Sequence, residues 1–394
     1  MPEPIPPGAT IGILGGGQLA RMLALAARPM GFNVVVLDPD PECSAANVCN
    51  HVIVTAYDDP SGLAQLANDV DVVTLEFENV PSDALATLEA RVPVRPNRRV
   101  LEIARDRVLE KTFLNSIGVE TAPWAPIETD ADLHRAATAL DFPAILKTAT
   151  LGYDGKGQVR VSSLDELRVA WSDMGRQPCV LESFVRFSIE VSVIVARSPS
   201  GEQRAFAPFE NQHRNGILDL TIWPARIDET VADLAMTTAS EISRRIDSIG
   251  LLTVEMFVVP STDDQFSRVV VNEIAPRPHN SGHLTIEASP TSQFAQAIRA
   301  VCDLPLGDVL PHSPAAMANL LGDVWRDGVR ASPGLDWVRA FQAGTFVHLY
   351  GKQEPRPGRK MGHLTALGQS AEEAIEAVLT ARVALSPGPD RLPT

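Results

Sequence analysis

The five-residue apolar run Thr10–Leu14 ends in three consecutive glycines, Gly15–Gly17, and passes directly into a helical pattern from Gln18. A buried β-branched run followed by glycine and a helix is the opening unit of a parallel sheet, because the chain must cross over the sheet before it can run in the same direction again. The rhythm persists through residue 94. Val34–Asp38, Val52–Thr55 and Val72–Leu75 read as further buried strands, with helices expected near 18–30, 61–68 and 82–90. The fold class this implies is α/β, with a doubly wound parallel sheet. One more helix is expected over about 98–117, stopped at Gly118, where glycine is the usual C-terminal stop.

From about residue 120 the pattern changes to α+β. Ala144–Lys147, Cys179–Phe184 and Glu190–Ala196 read as strands, interrupted by a glycine-rich loop and a helix near 164–173. A long helix at about 229–248 leads into two strands, 251–259 and 268–274, joined by the polar loop Pro260–Ser267. The remainder, roughly 301–394, is rich in Pro and Gly with shorter elements, and the tail from about 386 is expected to be disordered.

A chain of 394 residues with 45% hydrophobic content has enough apolar material for two or three domains. Its formal charge of −15 and pI near 5.0 repel nucleic acid and anionic membranes, so an anionic ligand needs a local, concentrated positive site. The proline-rich start, Met1–Gly8, lacks the basic and apolar regions of a signal peptide, and no run approaches the roughly eighteen apolar residues a membrane span needs. Cys43, Cys49, Cys179 and Cys302 show no metal-type pairing and are too sparse for a disulfide scaffold. They read as reduced thiols of a cytoplasmic protein.

The first glycine loop admits two readings. Gly15, Gly17 and Ala20 fit the dinucleotide fingerprint, and Asp38 closes the second strand where a ribose-binding acid would stand. An NAD-dependent dehydrogenase is therefore a competitor. The physics is nevertheless generic, since glycines let the backbone approach any phosphate and a helix amino terminus offers it N–H donors. Nothing downstream resembles hydride-transfer chemistry.

A second loop, Gly152-Tyr153-Asp154-Gly155-Lys156-Gly157-Gln158, follows the strand that ends in Lys147. It is no P-loop, because Gly157 stands where Ser or Thr belongs. Either it closes over phosphates with its own N–H groups, with Lys147 holding a phosphate from the sheet side, or it is an ordinary hairpin with solvated charges. Further on, Glu255 interrupts one apolar strand and Glu273 the next. A connection centred near Asp264 sets the two acids opposite each other. Opposed like charges on a buried sheet are destabilising. A divalent cation removes the conflict, and oxygen-only ligands favour magnesium, which takes its remaining ligands from water and phosphate. The competing readings are two exposed strand-end acids, or Glu273 paired with Arg277.

Asn272-Glu273-Ile274-Ala275-Pro276-Arg277-Pro278-His279-Asn280-Ser281-Gly282-His283 closely resembles the signature of 5-(carboxyamino)imidazole ribonucleotide synthases, which are ATP-grasp enzymes of purine biosynthesis. Gly15–Met22, Thr74–Val80, Asp106–Leu114, Ala144–Gln158, Glu210–Leu218 and Arg356–Thr365 resemble that family in the same order, with small departures at Ala20, Leu75 and Arg105. The resemblance implies four segments. They are a Rossmann-like domain over 1–108, a small ATP-grasp subdomain with a glycine-rich lid over 109–186, a large subdomain over 187–305, and a small C-terminal domain over 306–394.

It also implies roles. ATP would lie between two domains with Arg107 and Lys147 on its phosphates and Gly152, Tyr153, Asp154, Gly155, Lys156, Gly157 and Gln158 closing as a lid. Glu182, Ser183, Phe184 and Val185 would form the adenine edge, Glu190 would bind ribose, and His213 and Asn272 would make further nucleotide contacts. Glu255 and Glu273 match magnesium ligands. The other substrate would be 5-aminoimidazole ribonucleotide, placed between the first glycine loop with Gln18, the acids Glu76 and also Glu78, the lid residues Tyr153 and Asp154, and a late basic cluster. That cluster, Lys352, Arg356, Arg359 and Lys360, is broken only by Glu354. It suits a phosphate dianion by charge and by bidentate arginine contacts, or it is a solvated basic turn. Arg277 would bind bicarbonate and then carboxyphosphate, with His279 assisting and Asp154 orienting the amine. A homodimer is expected, and no biotin carrier. The alternatives within the superfamily are a formate-dependent glycinamide ribonucleotide transformylase and a biotin carboxylase. A silent nucleotide-binding protein would lack the acids, Lys147 and Arg277.

Overall fold

The computed structural model describes residues 3–152, 155–260, 267–325, 335–342 and 344–385. The tail from 386, the interior of the 260–267 loop, and the lid residues Tyr153 and Asp154 lie outside the described residues.

β1 (Thr10–Leu14), β2 (Asn33–Leu37), β3 (His51–Ile53) and β4 (Val72–Leu75) form a parallel sheet in the order β3-β2-β1-β4. Helices α1 (Gln18–Ala27), α2 (Pro60–Asp69) and α3 (Ser82–Glu89) lie between them and beyond β4. The helix expected over 18–30 ends its α-turns at Ala27. Pro29 turns the last three residues into a 3₁₀ segment, and Gly31 at φ 82° stops it. Strand order reverses between β1 and β4, which opens a crevice at their carboxyl ends. Gly15–Gly17 and Glu76 are at that crevice.

The single helix expected over 98–117 is two, α4 (Arg98–Ala104) and α5 (Arg107–Ser116). Asp106 makes the break. Its backbone is extended and its carboxylate accepts from the N–H groups of Val108 (2.8 Å) and Leu109 (3.1 Å), a capping role that competes with helix continuation. The fresh start gives α5 one inward stripe, Arg107, Glu110, Lys111 and Leu114, at helical spacing. Glu110, Lys111 and Leu114 are buried.

β5 (Trp124–Ile127), β6 (Ala144–Thr148), β7 (Gln158–Val161) and β8 (Cys179–Ser183) make an antiparallel sheet in the order β5-β8-β6-β7. It packs against α6 (Asp130–Ala139) and α7 (Leu164–Asp173) through Leu133, Leu146, Leu167, Trp171 and Leu181.

The third sheet is the largest. It comprises β9 (Ile189–Arg197), β10 (Gln203–Ala205), β11 (Phe209–Arg214), β12 (Ile217–Trp223), β13 (Gly250–Val259), β14 (Arg268–Ala275), β15 (Ala315–Leu321), β16 (Phe346–Leu349) and β17 (Lys360–Leu367). The order is β14-β13-β9-β11-β12-β15-β17-β16, with β10 beside β9. The segment beyond residue 306 therefore carries no sheet of its own among the described residues. Its strands prolong the large sheet through the β12–β15 pairing, Leu220↔Ala318 to Trp223↔Ala315. Helix α8 (Glu229–Ile246) covers β9 and β13 with Val231, Ala235, Ala239 and Ile242. α9 (Thr285–Ala288) and α10 (Gln293–Val301) follow β14, and α11 (Trp337–Gln342) and α12 (Ala371–Leu385) complete the chain. α10 docks onto α1, where Leu19, Leu23, Phe294 and Ile298 share one core. At about 1.5–3 kcal/mol per buried large apolar side chain, that core fixes the first sheet against the third.

Candidate active site

The two acids face each other as their spacing predicts. β13 and β14 pair antiparallel with Glu255 opposite Glu273, and a bulge immediately after Glu255 leaves Asn272 as the extra residue. Glu255 is buried, and its Oε1 lies 2.8 Å from His279 Nε2. Burial favours its neutral form, but His279, His213 and Arg277 outweigh that and hold the carboxyl below the ordinary carboxylate range. Glu273 is paired with Arg107, whose Nη1 donates to Oε2 at 2.9 Å, and not with Arg277. Arg277 instead donates from Nε to Glu78 Oε1 at 2.5 Å. Burial works against the guanidinium's charge, while Glu78, Glu273 and Glu255 raise its pKa above the ordinary value.

Glu190 and His213 stand on neighbouring strands of the same sheet, β9 and β11. His213 Nδ1 lies 3.0 Å from Glu190 Oε2. Burial lifts the Glu190 carboxyl, His213 opposes this, and the charges of Glu255 and Glu273 add to the lift. Burial opposes protonation of His213, but Glu190 prevails and its pKa is raised. The four side chains therefore share one electrostatic environment.

Lys147, on β6, reaches across from the small sheet. Its Nζ donates to Glu182 Oε2 at 2.9 Å and to Asn272 Oδ1 at 3.2 Å, so the bulge residue of the large sheet receives it. Glu182 also takes Lys111, whose Nζ is 3.0 Å from Oε1. The side chain of Glu182 is thus an internal ion-pair partner, not part of an open edge. Ser183 and Phe184 donate their backbone N–H groups to Pro123 (2.9 Å) and Pro143 (3.2 Å), while the Phe184 ring lies under Arg160 at 4.5 Å. The second glycine loop is the turn between β6 and β7, with Lys147 opposite Gln158. Gly155 has φ +74°, and a Cβ there would come within 2.9 Å of Gly216 Cα in the β11–β12 turn. Glycine is required for this close approach, which brings the loop from the small sheet against the large one. Gly152 is close to Arg107 and Thr148. Gly157 packs on Thr148, whose N–H donates to its carbonyl at 2.8 Å. Lys156 lies within this turn.

At the first glycine loop the backbone donors already have partners. Asp38 Oδ2 accepts from Gly16 N (2.7 Å) and from Tyr57 Oη (2.7 Å), and Glu76 Oε2 accepts from Gly17 N. A Cβ at position 17 would lie 2.0 Å from Glu76 Oε1, so glycine is needed for this carboxylate to reach the loop. Two carboxylates seated on the loop amides leave no place for a pyrophosphate, so Asp38 braces the loop and the dinucleotide reading fails on geometry. Burial raises Glu76 to about 7 against the pull of Gly17 N–H, Lys352 and Arg277, with Asp38 adding to the rise. Gln18 begins α1 beside it, half-buried.

The side chains of the late basic cluster have different immediate neighbours. Lys352 lies over the Tyr350 ring (5.8 Å) and acts on Glu76. Lys360 acts on His213 and His283. Arg356 pairs with Glu354, and Arg359 Nη1 donates to the Glu354 carbonyl at 2.9 Å. Glu354 therefore contacts both arginines, Arg356 through its carboxylate and Arg359 through its carbonyl.

Reading the sequence left Glu110 and Lys111 without roles. Glu110 Oε1 accepts from Ile274 N at 2.6 Å, which ties α5 to β14 one residue beyond Glu273. Burial lifts its carboxyl to about 8 against the attraction of Arg107 and Lys111. The i, i+3, i+4 spacing from Arg107 was the available signal, and expecting one unbroken helix obscured it.

A small antiparallel sheet carrying a lysine and a glycine turn, closed against a larger sheet with paired acids, defines the nucleotide cleft of an ATP-grasp ligase. Comparison with known proteins agrees. The ATP-grasp domain family matches residues 112–294, the ribonucleotide synthetase preATP-grasp domain 8–105, and the phosphoribosylaminoimidazole carboxylase C-terminal domain 315–377. The N5-carboxyaminoimidazole ribonucleotide synthase of Brucella melitensis is 46% identical over 363 residues, 92% of this chain and 97% of its own. Among solved structures, an N5-carboxyaminoimidazole ribonucleotide synthetase in complex with ADP is 41% identical with a TM-score of 0.90, covering 97% of this chain and 98% of that one. The Aspergillus clavatus N5-carboxyaminoimidazole synthase, in complex with ADP and 5-aminoimidazole ribonucleotide, is 29% identical with a TM-score of 0.85, covering 96% and 98%. The chain belongs to the N5-carboxyaminoimidazole ribonucleotide synthase family.

Proposed function

We infer that this chain joins bicarbonate to the amine of 5-aminoimidazole ribonucleotide at the expense of ATP, giving 5-(carboxyamino)imidazole ribonucleotide, ADP and phosphate for purine (IMP) synthesis. One observation carries the mechanistic reading. Arg277 stands between the two halves of the cleft, hydrogen-bonded to Glu78 of the first domain and within the field of Glu255 and Glu273 of the third sheet. A reaction that passes a group from a nucleotide to a second substrate needs a fixed cation at that boundary.

Magnesium fits the paired acids. Both donors are carboxylates, they stand in register, and two of them leave the rest of its shell to water and phosphate oxygens. Glu255 and Glu273 would hold it, and bound there it would neutralise charge on the terminal phosphates. Lys147 and Arg107 bind the phosphates from the small-sheet side and from α5. With the N–H groups of Ser183 and Phe184 already taken, reading the adenine edge falls to Val185 and the segment's carbonyls. Glu190, oriented by His213, binds the ribose, and Asn272 lines the nucleotide beside Lys147. Gly152–Gln158 closes over the phosphates and excludes water, which the labile carboxyphosphate formed from bicarbonate requires.

Arg277 binds bicarbonate and then the carboxyphosphate oxygens. His279 is oriented for contact by Glu255 on Nε2 and by Ser281 Oγ, 2.8 Å from Nδ1. Gln18, Glu76 and Lys352 hold the ribonucleotide, with Lys360 adjoining and Arg359 offering the guanidinium N–H groups that its one bond to the Glu354 carbonyl leaves available. Tyr153 and Asp154 approach from the lid, and Asp154 orients the amine or accepts its proton. We assign these tasks to the segments 1–108, 109–186, 187–305 and 306–394. A cytoplasmic homodimer is the setting the family likeness supports, and none of the described helices is long and apolar enough to cross a membrane.

Phosphate release with ATP, magnesium, bicarbonate and aminoimidazole ribonucleotide, each omitted in turn, tests the proposal. Full turnover requires all four. ADP formation that needs formate and glycinamide ribonucleotide instead would overturn the substrate assignment.

A further inference from the structure

The ion pairs of the nucleotide cleft continue into the protein interior. Lys111 exposes none of its surface, yet its ammonium lies 3.0 Å from Glu182 Oε1. The contact is ionic only, because neither atom has a hydrogen-bond partner of good geometry among the described residues. The other oxygen of Glu182 takes Lys147 at 2.9 Å, and Lys147 also reaches Asn272. A chain of charges thus runs from the core, through β8 and β6, to the wall of the cleft. Two ammonium groups share one carboxylate, leaving one positive charge in excess, and only the Lys147 end is open to a ligand. Glu110 also acts on Lys111, and burial raises its carboxyl to about 8, which favours its neutral form. The helix bearing Lys111 is itself anchored at both sheets. Arg107 N donates to Ala149 O at 2.9 Å beyond β6, and Glu110 accepts from Ile274 N at 2.6 Å in β14.

Packing alone does not account for Lys111. Burying an ammonium costs several kcal/mol, and an apolar side chain of similar length fills the same space more favourably. If Lys111 were apolar, Glu182 and Lys147 would form a closed neutral pair.

We propose that Lys111 is a positioning residue for the nucleotide: from inside the protein it shares Glu182 with Lys147, so that Glu182 aims Lys147 at the triphosphate without neutralising it. The proposal rests on the reading of Lys147 as a phosphate ligand given above.

Lys111→Met tests it, with Lys147→Ala as reference, using ADP affinity by calorimetry, KM for each substrate, kcat and the thermal midpoint. Lys111→Met is expected to weaken ADP and raise the KM for ATP about tenfold, with the ribonucleotide KM within twofold of the parent. A purely structural lysine would lower the midpoint and the active fraction and leave ADP affinity within twofold, and that result overturns the proposal. Lys111→Gln serves if the methionine variant does not fold. The double variant Lys111→Met/Glu182→Gln carries no unpaired acid. If Lys111 acts through Glu182, it binds ADP no more than twofold worse than Glu182→Gln alone, whereas an additive tenfold loss refutes the route. Should Lys147→Ala leave ADP affinity unchanged, the reading of the cleft itself fails. If Lys147→Ala weakens ADP and Lys111→Met does not, only the role of Lys111 fails.

Discussion

Glu182→Gln removes one charge and almost no volume, so its effect isolates the electrostatics at the base of the cleft. Burial favours the neutral acid there, but Lys147 and Lys111 hold the carboxyl down from an ordinary 4.5 to about 2. At about 1.4 kcal/mol per pH unit, that depression corresponds to roughly 3 kcal/mol of stability at neutral pH. The figure agrees with the roughly 3–5 kcal/mol expected when one partner of a buried ion pair is deleted and the other charge remains. Here the remaining charges are two. Lys147 has Asn272 to turn to, whereas Lys111 is wholly enclosed. For domains of 150–250 residues, about 3 kcal/mol lowers the thermal midpoint by roughly 6–12 °C. Because the folded pKa lies below the unfolded one, the wild-type advantage is complete above about 4.5 and shrinks as pH falls toward about 2. Thermal and urea unfolding of both proteins from pH 7 down to 3 would measure it. A variant within about 0.5 kcal/mol of the parent at pH 7, or a deficit that does not shrink in acid, would refute the reasoning.

Arg277→Ala should abolish bicarbonate-dependent phosphate release while ADP still binds within about threefold, measured by coupled assay and calorimetry. Unchanged turnover would remove Arg277 from the site. Glu273→Gln takes one of the two acids and the partner of Arg107, so the KM for magnesium-ATP should rise at least tenfold with little change for the ribonucleotide. An equal loss for both substrates would count against a metal role. Lys352→Ala removes the cation that draws on Glu76, and the apparent KM for the ribonucleotide should rise about tenfold at pH 7. An effect confined to ATP would place this lysine elsewhere.

Local order was legible because it is written at short range. β1 and β4 have the bounds that their β-branched runs predict. The pairing of Glu255 with Glu273 followed from loop symmetry alone, since an antiparallel connection sets the residues equidistant from its centre opposite each other. The bulge that puts Asn272 beside them was not readable, because it depends on how β13 and β14 twist together. Asp106 was the local feature that was missed. An aspartate inside an apparently helical run can be a cap, and expecting one unbroken helix across it hid the inward stripe of α5.

Several polar side chains singled out in the sequence have protein partners that spacing does not specify: the Glu182 carboxylate takes Lys111 and Lys147, Arg359 donates to the Glu354 carbonyl, and Asp38 accepts from Gly16 and Tyr57. An acid or base that would be costly to bury alone needs a counter-charge in the folded protein before any substrate arrives. In this cleft the pairs Arg107–Glu273, His279–Glu255 and Arg277–Glu78 meet that need. Each brings an arginine or a histidine from outside the β13–β14 hairpin, or from the segment just after it, to an acid that a ligand or metal would otherwise engage. On the proposed function, binding at such a site would be an exchange of partners: a triphosphate that drew Arg107 away would leave Glu273 to a divalent cation, and bicarbonate on Arg277 would loosen Glu78. Nucleotide and magnesium should therefore bind with mutual dependence. Calorimetric titration of ADP with and without magnesium should differ by at least tenfold in the parent protein and lose most of that difference in Glu273→Gln, and equal affinities in the parent would show that the acids and their cations do not exchange.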